Sequence, residues 1–402
     1  MTSLAPTAHL QLPFFDAAHQ QLAADLSAWA AAQDVDEQDD RLACREWVRR
    51  LGAAGWLRHC VPAEFGGVRA QLDSRALVIL RETLAFYSPL ADFAFAMQGL
   101  GSGAITLGGT AAQKSRYLPA VAQGEMIAAF ALSEAQAGSD AGAMATTARF
   151  DSSGAVTLHG SKTWISNGGI ADYYCVFAKT DPQAGTRGIT AFIVDADTPG
   201  LDASEHIAVM APHPLATLQF DQCQIPAHAQ LGELHGGFKL AMRTLDIFRA
   251  SVAAAALGMA RRALALAVDY AQARPMFGQR LADFQLTQAK LGEMVALIDA
   301  GALLTYRAAW LRDCVGTEGA QHAQTYSAAA AMAKMVATEN AQRVIDMALQ
   351  MHGGMGVRVG NKIESLYRDI RSLRIYEGAT EVQLLILGKS VLRGATPAVP
   401  TA

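Results

Sequence analysis

YYCVFAKT, residues 173–180, lies in the middle of a strand-like segment within a sequence that otherwise has helical character. Like AVTLHG (155–160) and GITAFIVDAD (188–197), it is rich in β-branched and aromatic residues and is bounded by Gly, Asp, Asn and Pro, a pattern typical of strands. Residues 14 to about 122 are rich in Ala, Leu, Gln and Glu, and helical periodicity resumes after HGGF (235–238). The sequence therefore predicts a central β-domain between two helical blocks.

The order of these blocks limits the possible fold classes. In a doubly wound parallel sheet, strands alternate with helices along the chain, and here they do not. In the third block Leu291, Met294, Val295 and Ile298 follow the spacing of one helix face, and Pro275 ends or bends a long helix. The predicted fold is mostly α with a small central β-domain.

Composition and charge exclude several classes of protein. The chain has 402 residues, 51% hydrophobic and 17% charged, which indicates two or three domains of a soluble protein with much buried surface and favours an oligomer. A net charge of −4 provides no basic field for nucleic acid or an anionic membrane. We expect no apolar run long enough to span a bilayer, and the N-terminus lacks the pattern of a secretion signal. The scattered cysteines form no CxxC pair, which indicates reduced thiols in a cytoplasmic compartment and no metal site.

Two glycine-rich stretches look like nucleotide-binding motifs but lack the required context. GLGSGA (99–104) matches the GxGxxA form of the dinucleotide fingerprint, which needs a preceding strand and an acidic residue on a second strand. The preceding FAFAMQ is predicted to be helical, so close helix packing explains the small residues better. QMHGGMG (350–356) fails the same test.

Three other stretches suggest a bound anion or ring system, each with a plainer alternative. SEAQAGSDAGA (133–143) could expose backbone N–H groups and a hydroxyl to an anion, or could be an ordinary turn. In SKTWISNGG (161–169), Trp164 and Ser166 could cover a flat ring, or Trp164 could belong to the core. RPMFGQRLADFQ (274–285) could carry an arginine to a phosphate, or could be a solvated helix connection.

One acidic residue lies on a predicted turn between two helices. In RIYEGATEVQ (374–383), Glu377 stands between an aromatic residue and a glycine, after a basic stretch and before apolar helix-forming residues. Without further context, the sequence predicts that this residue is a solvated carboxylate on a turn.

Taken together and in this order, these motifs resemble the acyl-CoA dehydrogenase family of flavoenzymes over about residues 14–393. The motifs are FALSEAQAGSD (130–140), WISNG (164–168), RPMFG with the following FQ (274–285), QMHGGMG (350–356) and YRDIRSLRIYEGATEV (367–382). The resemblance implies an N-terminal helical domain (1–125), a middle β-barrel-like domain (126–235) and a C-terminal four-helix bundle (236–393). The tail that follows (394–402) is predicted from its own sequence to be disordered. The resemblance also implies a homo-oligomer, usually a dimer of dimers.

The resemblance gives Glu377 the role of catalytic base. Members of the family dehydrogenate an acyl-CoA thioester to the trans-2-enoyl-CoA: the base removes the α-proton, and the β-hydrogen leaves as hydride to flavin N5. Burial against substrate and flavin raises the pKa of such a carboxyl toward the operating range. The backbone N–H of Glu377 and a ribityl hydroxyl would bind the thioester oxygen. Some members take their base from a helix, but the matching position here is Phe248, which cannot act as a base.

The resemblance also assigns residues to cofactor and substrate. The residues implied in FAD binding are Phe130, Leu132, Ser133, Ser139, Trp164, Ser166, Arg274, Phe277, Gln285, Gln350 and Gly354, of which the last five would reach FAD across a subunit boundary. Those implied in substrate binding are Ser139, Asp246, Arg249, Tyr376 and Gly378, although Asp246 and Arg249 could equally form a helix-surface pair. The chain departs from the family pattern at Ser133, Ala135 and Ala379, and Ala379 loses a hydrogen bond expected to reach the cofactor.

Other functions remain open on the sequence alone. The favoured reading is a dehydrogenase that passes electrons to an electron-transfer flavoprotein. A flavin oxidase or monooxygenase on the same fold ranks second, because such relatives often lack the acid at Glu377. The acyl group could be carried by a carrier protein instead of CoA. A non-catalytic helical scaffold is disfavoured by the retained site residues.

Overall fold

A computed structural model describes residues 5–315 and 320–393, so the predicted disordered tail (394–402) lies outside the described residues. The chain divides into two compact units. We call them the helical unit (Met1–Asp34, Asp73–Asp92 and Arg249–Ala402) and the sheet unit (Val35–Leu72 and Phe93–Phe248). The domain bounds expected from the sequence stay a prediction.

Along the chain, long helices precede and follow a group of short strands, which confirms the predicted mostly α fold with a central sheet. The helices are α1 (Ala17–Ala31), α2 (Asp40–Ala53), α3 (Ser74–Tyr87), α4 (Pro89–Gly108), α5 (Ala111–Gln123), α6 (Gly237–Ala273), α7 (Gln285–Trp310), α8 (Ala320–His352), α9 (Lys362–Leu373) and α10 (Thr380–Leu392). The strands are β1 (Ala128–Ala131), β2 (Thr147–Phe150), β3 (Val156–Ser166), β4 (Tyr173–Lys179), β5 (Ile189–Asp195), β6 (Leu201–Ile207), β7 (Leu215–Ile225), β8 (Gln230–Leu231), β9 (Pro275–Met276) and β10 (Gln279–Arg280).

The sheet unit is built on one mixed sheet. Its strand order is β6-β7-β3-β2-β4-β5-β8, and β1 pairs with β4 in parallel. The predicted strands around residues 155–160, 173–180 and 188–197 are confirmed as β3, β4 and β5. Strands β4 and β5 read as continuous apolar runs because nearly every side chain in them is buried.

The core of the helical unit depends on small residues. Ala253, Ala254, Ala255 and Ala256 on α6 are fully buried. A Cβ at Gly258 would clash with the carbonyl oxygen of Glu82, so α6 and α3 can approach closely only because this position is glycine. Helix α6 ends at Ala273, two residues before Pro275, as the proline predicts.

GLGSGA lies inside helix α4, which confirms that the stretch is not a dinucleotide fingerprint. A Cβ at Gly99 or Gly103 would press against the ring of Phe248, which is itself 2% exposed. The glycines of this helix therefore make room for an aromatic side chain, the close packing that the sequence predicts.

The expectation that no apolar run is long enough to span a bilayer is wrong, judged by the length and composition of two helices. Among the described residues, the helices Gly237–Ala273 and Gln285–Cys314 are long and apolar enough, with mean hydropathies of 1.4 and 1.3. Their most apolar windows are 67% and 50% buried inside the protein. Core helices of soluble proteins have the same character, so the two helices are weak evidence for a membrane span.

Candidate active site

The predicted turn connects α9 to α10 and has an unusual backbone. Glu377 has φ 52° and Gly378 has φ 92°, so two consecutive residues are left-handed. For a residue with a side chain this conformation costs about 1–3 kcal/mol and persists only where its surroundings enforce it. The prediction of a turn between two helices is confirmed, and the strain falls on the residue predicted to be the base.

Two buried side chains hold the carbonyl groups of this turn. Lys334 of α8 donates from Nζ to the carbonyl oxygen of Gly378 at 2.8 Å. Gln383 of α10 donates from Nε2 to the same oxygen at 2.8 Å and to the carbonyl oxygen of Glu377 at 3.3 Å. Lys334 and Gln383 are both 0% exposed. The turn is therefore fixed from inside the helical unit.

The two ends of the same turn are joined by hydrogen bonds to Glu339. Glu339 Oε1 accepts from Arg374 Nε at 2.8 Å and from Thr380 Oγ1 at 2.6 Å. Arg374 precedes the turn and Thr380 begins α10, so one carboxylate ties its two ends together.

The carboxyl group of Glu377 is buried without a protein partner on one oxygen. Among the described residues, Oε2 has no hydrogen-bond partner and almost no exposed surface. Burial raises the pKa of Glu377, against the opposing effects of Arg81, Lys334 and Arg249. Burial likewise lowers the pKa of Lys334 to about 8, although the negative charge of Glu377 opposes this. A carboxylate with a raised pKa and an unused oxygen is suited to take up a proton.

An ion pair in the helical unit contributes to the charge around Glu377. Arg81 of α3 binds both oxygens of Asp92, with N–O distances of 2.8 and 2.9 Å, and donates to Ser251 Oγ at 3.0 Å. Arg81 and Asp92 are each 2% exposed. Burial raises the pKa of Tyr376, which also receives a hydrogen bond from Arg81. The ion pair therefore makes the surroundings of the predicted base polar.

The predicted substrate residues occupy different places. Arg249, Tyr376 and Gly378 lie around Glu377 in the helical unit. Arg249 is 6% exposed, so it is not the helix-surface residue of the plainer reading. Asp246 is half-buried and belongs to the sheet unit, as does Ser139, which is exposed in the loop after β1.

In the sheet unit, the predicted flavin-ring residues lie on β1, on β3 and in the loop after β1. Phe130 is on β1, and Leu132 and Ser133 follow it. The carbonyl oxygen of Ser133 accepts from the backbone N–H of Thr163 on β3 at 3.0 Å. This hydrogen bond fixes the start of the loop 133–143 beside the strand that carries Trp164 and Ser166.

Trp164 is directed outward by an irregularity in its strand. The pairing of β3 with β7 shifts register between Lys162 and Ile165, and Trp164 has φ 61°. Its side chain is 57% exposed, so the alternative of a core tryptophan is wrong. Bulges of this kind re-aim a side chain near functional sites. Two residues further on, Ser166 Oγ lies 3.1 Å from His213 Nε2.

The remaining predicted FAD residues lie on the surface of the helical unit. Phe277 is 91% exposed and has φ 48° in the hairpin of β9 and β10. Arg274 and Gly354 line one surface pocket of about 380 Å³, together with Tyr270 and His352. The other two predicted residues, Gln285 and Gln350, are exposed and do not line this pocket.

Sequence reasoning missed the residues that support these groups: Arg81, Asp92, Lys162, His213, Lys334 and Gln383. Most carry no local signal, because their partners are distant in the sequence. Lys334 could have been noticed, since it is a lone cation in the small-residue helical run SAAAAMAKMVA (327–337).

Sequence profiles of one family match most of the chain. Residues 11–125 match "Acyl-CoA dehydrogenase, N-terminal domain", 129–223 the middle domain and 235–392 the C-terminal domain. The 3-(aryl)acrylate reductase of Clostridium sporogenes is 38% identical over 387 residues, which cover 94% of this chain and 100% of that protein.

Solved structures of high similarity are also found. Butyryl-CoA dehydrogenase from Megasphaera elsdenii has a TM-score of 0.88 and 34% identity, covering 94% of this chain and 99% of that one. A Bacillus anthracis acyl-CoA dehydrogenase complexed with FAD has a TM-score of 0.87 and 31% identity, covering 95% and 68%. A chain in a structure described as the electron transferring flavoprotein of Acidaminococcus fermentans has a TM-score of 0.87 and 34% identity, covering 94% and 99%.

Proposed function

This chain belongs to the acyl-CoA dehydrogenase family, and from that premise we propose that it oxidises the Cα–Cβ bond of an acyl-CoA thioester with Glu377 as the base. The chain is an FAD-dependent oxidoreductase of the acyl-CoA dehydrogenase type, as its motifs predict. The observation that carries the proposal is the Glu377 carboxyl group, which sits on an enforced left-handed turn with Oε2 buried and unpartnered by the described residues.

The proposed step needs a base whose conjugate acid is weak and whose position is set in advance. Removal of the α-proton transfers it to the carboxylate of Glu377, and a raised pKa makes that transfer more favourable. Lys334 and Gln383 hold the backbone that carries this carboxylate, so little reorganisation of the turn is needed at the moment of reaction. A bound FAD would supply the hydride acceptor for the β-hydrogen, and the product would be a trans-2-enoyl thioester.

The residues assigned to FAD fit a ring and a pyrophosphate. The exposed indole of Trp164 offers a flat apolar face, and the hydroxyl of Ser166 lies two residues further along the strand. The loop 133–143 leaves Ser139 exposed, where backbone N–H groups and a hydroxyl can meet an anion. On the helical unit, exposed Arg274 can pair with a phosphate group.

The partners and setting of the enzyme are part of the proposal. We assign an electron-transfer flavoprotein as acceptor, supported by the similarity to a chain solved in a study of such a flavoprotein. The exposure of Arg274, Phe277, Gln285, Gln350 and Gly354 suits a cofactor shared across a subunit boundary in a homo-oligomer, a dimer of dimers. We place the enzyme in the cytoplasm.

The test is anaerobic reduction of the purified flavoprotein by a panel of acyl-CoA esters. The panel includes butyryl-CoA and an arylpropionyl-CoA, since the relatives act on different acyl groups. We expect one class of ester to bleach the oxidised flavin band. The bleaching should be abolished in Glu377→Gln and retained in the exposed control Glu381→Gln. A Glu377→Gln variant that still bleaches rapidly would overturn the assignment of the base. A yellow protein that dithionite reduces but no ester reduces would favour a carrier-protein substrate or an oxygen-using enzyme.

A further inference from the structure

Lys334 lies where a charged side chain is costly. It is fully buried on α8, near Ala330, Ala333 and Ala337, which are also fully buried. Burying an ammonium group in such surroundings is unfavourable unless it has a partner. Its hydrogen bond of 2.8 Å goes to the carbonyl oxygen of Gly378, the residue directly after the proposed base. A neutral residue of similar volume would fill the space without this cost.

The charged groups around this lysine come from several elements. Glu377 on the turn and Arg249 on α6 act on it most strongly, followed by Glu339 on α8 and Glu381 on α10. Around Glu377 itself, Arg81 on α3 and Asp92 near the start of α4 also act. Asp92 binds Arg81 through both oxygens, whereas Lys334 Nζ donates to the backbone carbonyl oxygen of Gly378.

We propose that Lys334 is a positioning residue for the base: its hydrogen bond to Gly378 holds Glu377 in the left-handed turn, and its charge favours the carboxylate form. The inference rests on the proposed function, because it gives Lys334 a role only if Glu377 takes up the proton. Gly378 has no side chain to restrain its backbone, so external donors must fix its carbonyl group. Gln383 supplies one such donor without charge, and Lys334 supplies one with charge.

The two contributions of Lys334 separate experimentally. Lys334→Met removes the hydrogen bond and the charge, whereas Lys334→Gln can keep a donor but loses the charge. Gln383→Met removes only an uncharged donor. Lys389→Met on α10 is the matched control, because this lysine is exposed near the end of the helix.

The readout is the pH profile of kcat with the best ester of the panel. We expect Lys334→Met to lower kcat by about tenfold to a hundredfold, as misplacement of a catalytic group does. The acidic limb of its kcat–pH profile should move to higher pH, since loss of a nearby cation raises the pKa of the Glu377 carboxyl group. Lys334→Gln should recover most of kcat but keep the shifted limb. Gln383→Met should lower kcat without moving the limb, and Lys389→Met should do neither.

Failure of this inference differs from failure of the proposed function. If Glu377→Gln is inactive and Lys334→Gln keeps the wild-type limb, the role of Lys334 is overturned and the function stands. If Glu377→Gln turns over normally, the proposed base is overturned and the role of Lys334 falls with it. Should Lys334→Met fail to fold, Lys334→Gln alone decides, since it replaces the ammonium with an uncharged amide.

Discussion

The Nζ atom of Lys162 lies 2.8 Å from Glu134 Oε1, and the two side chains are 0% and 9% exposed. Lys162 also donates to the carbonyl oxygen of Leu132 at 3.1 Å. Glu134 accepts from the backbone N–H groups of Ala145 and Thr146 at 2.6 and 3.0 Å. One buried ion pair therefore connects both ends of the loop 133–143 to strand β3, which carries Trp164 and Ser166.

Replacing Lys162 with Met is the first prediction. The change leaves the carboxylate of Glu134 buried without its cation, and breaking a buried pair in this way costs about 3–5 kcal/mol. We expect a lower midpoint of thermal unfolding and faster loss of FAD. The loss of FAD is measured by the flavin absorbance of the supernatant after heating. The double variant Lys162→Met/Glu134→Gln should regain part of the midpoint. Arg149→Met, which changes an exposed residue on neighbouring β2, is the control. A Lys162→Met variant that unfolds at the same midpoint as the wild type would contradict the role of the ion pair.

Histidine 213 gives a prediction about acid stability. Burial lowers the pKa of His213 to about 3, from 6.5. As the pH falls below 6.5 the unfolded chain takes up a proton here and the folded chain does not, so stability declines over the window down to about 3. We expect the unfolding midpoint of His213→Gln to fall less between pH 7 and pH 5 than that of the wild type. His159→Gln, at a side chain 65% exposed, should behave like the wild type. Parallel declines in all three proteins would count against a His213 ring that the fold keeps neutral.

The surface pocket of the helical unit gives a prediction about assembly. Arg274 lines the pocket of about 380 Å³ and is proposed to reach FAD across a subunit boundary. Arg274→Ala should weaken FAD retention and loosen the oligomer together, because binding and assembly are then one linked equilibrium. Size-exclusion chromatography with absorbance at the flavin band measures both. Arg280→Ala, in the hairpin that follows Arg274, is the control, since Arg280 pairs with Asp283 at 2.9 Å. Full occupancy in an intact oligomer would refute the cross-subunit role of Arg274.

Sequence patterns predicted the elements that are long or strongly apolar. Strand β4 was predictable because nearly all of it is buried. Strand β6, LDASEHI, was not, because most of its side chains are exposed and polar, so it carries no hydrophobic signal. Strand β1 is a run of four residues, three of them alanine, which has helical propensity in isolation.

The candidate site was predictable only in part, for a related reason. Glu377 and its turn follow from a contiguous motif, so the resemblance locates them. Lys334 lies 44 residues before Gly378, and Arg81 lies 170 residues before Ser251. Contacts at such separations depend on how helices pack, and a local pattern does not encode them.

The raised pKa of Glu377 leads to the last prediction, which links activity to stability. Because burial favours the protonated form, the folded protein binds a proton at Glu377 above the ordinary carboxyl value of 4.5, where the unfolded chain has released it. Stability from this group is thus complete below 4.5 and is lost as the pH rises through the folded pKa. The carboxylate needed for catalysis is the form that the fold tolerates less well.

Glu377→Gln stays neutral at every pH and avoids this loss. We expect it to unfold at a higher temperature than the wild type at pH 8 and at nearly the same temperature near pH 4, while kcat of the wild type rises with pH over the same interval. Differential scanning calorimetry of both proteins, with Glu381→Gln as an exposed control, measures the difference. A Glu377→Gln protein that is less stable than the wild type at pH 8 would mean that attraction to Lys334 and Arg249 outweighs burial, and that the carboxylate is the form the fold prefers.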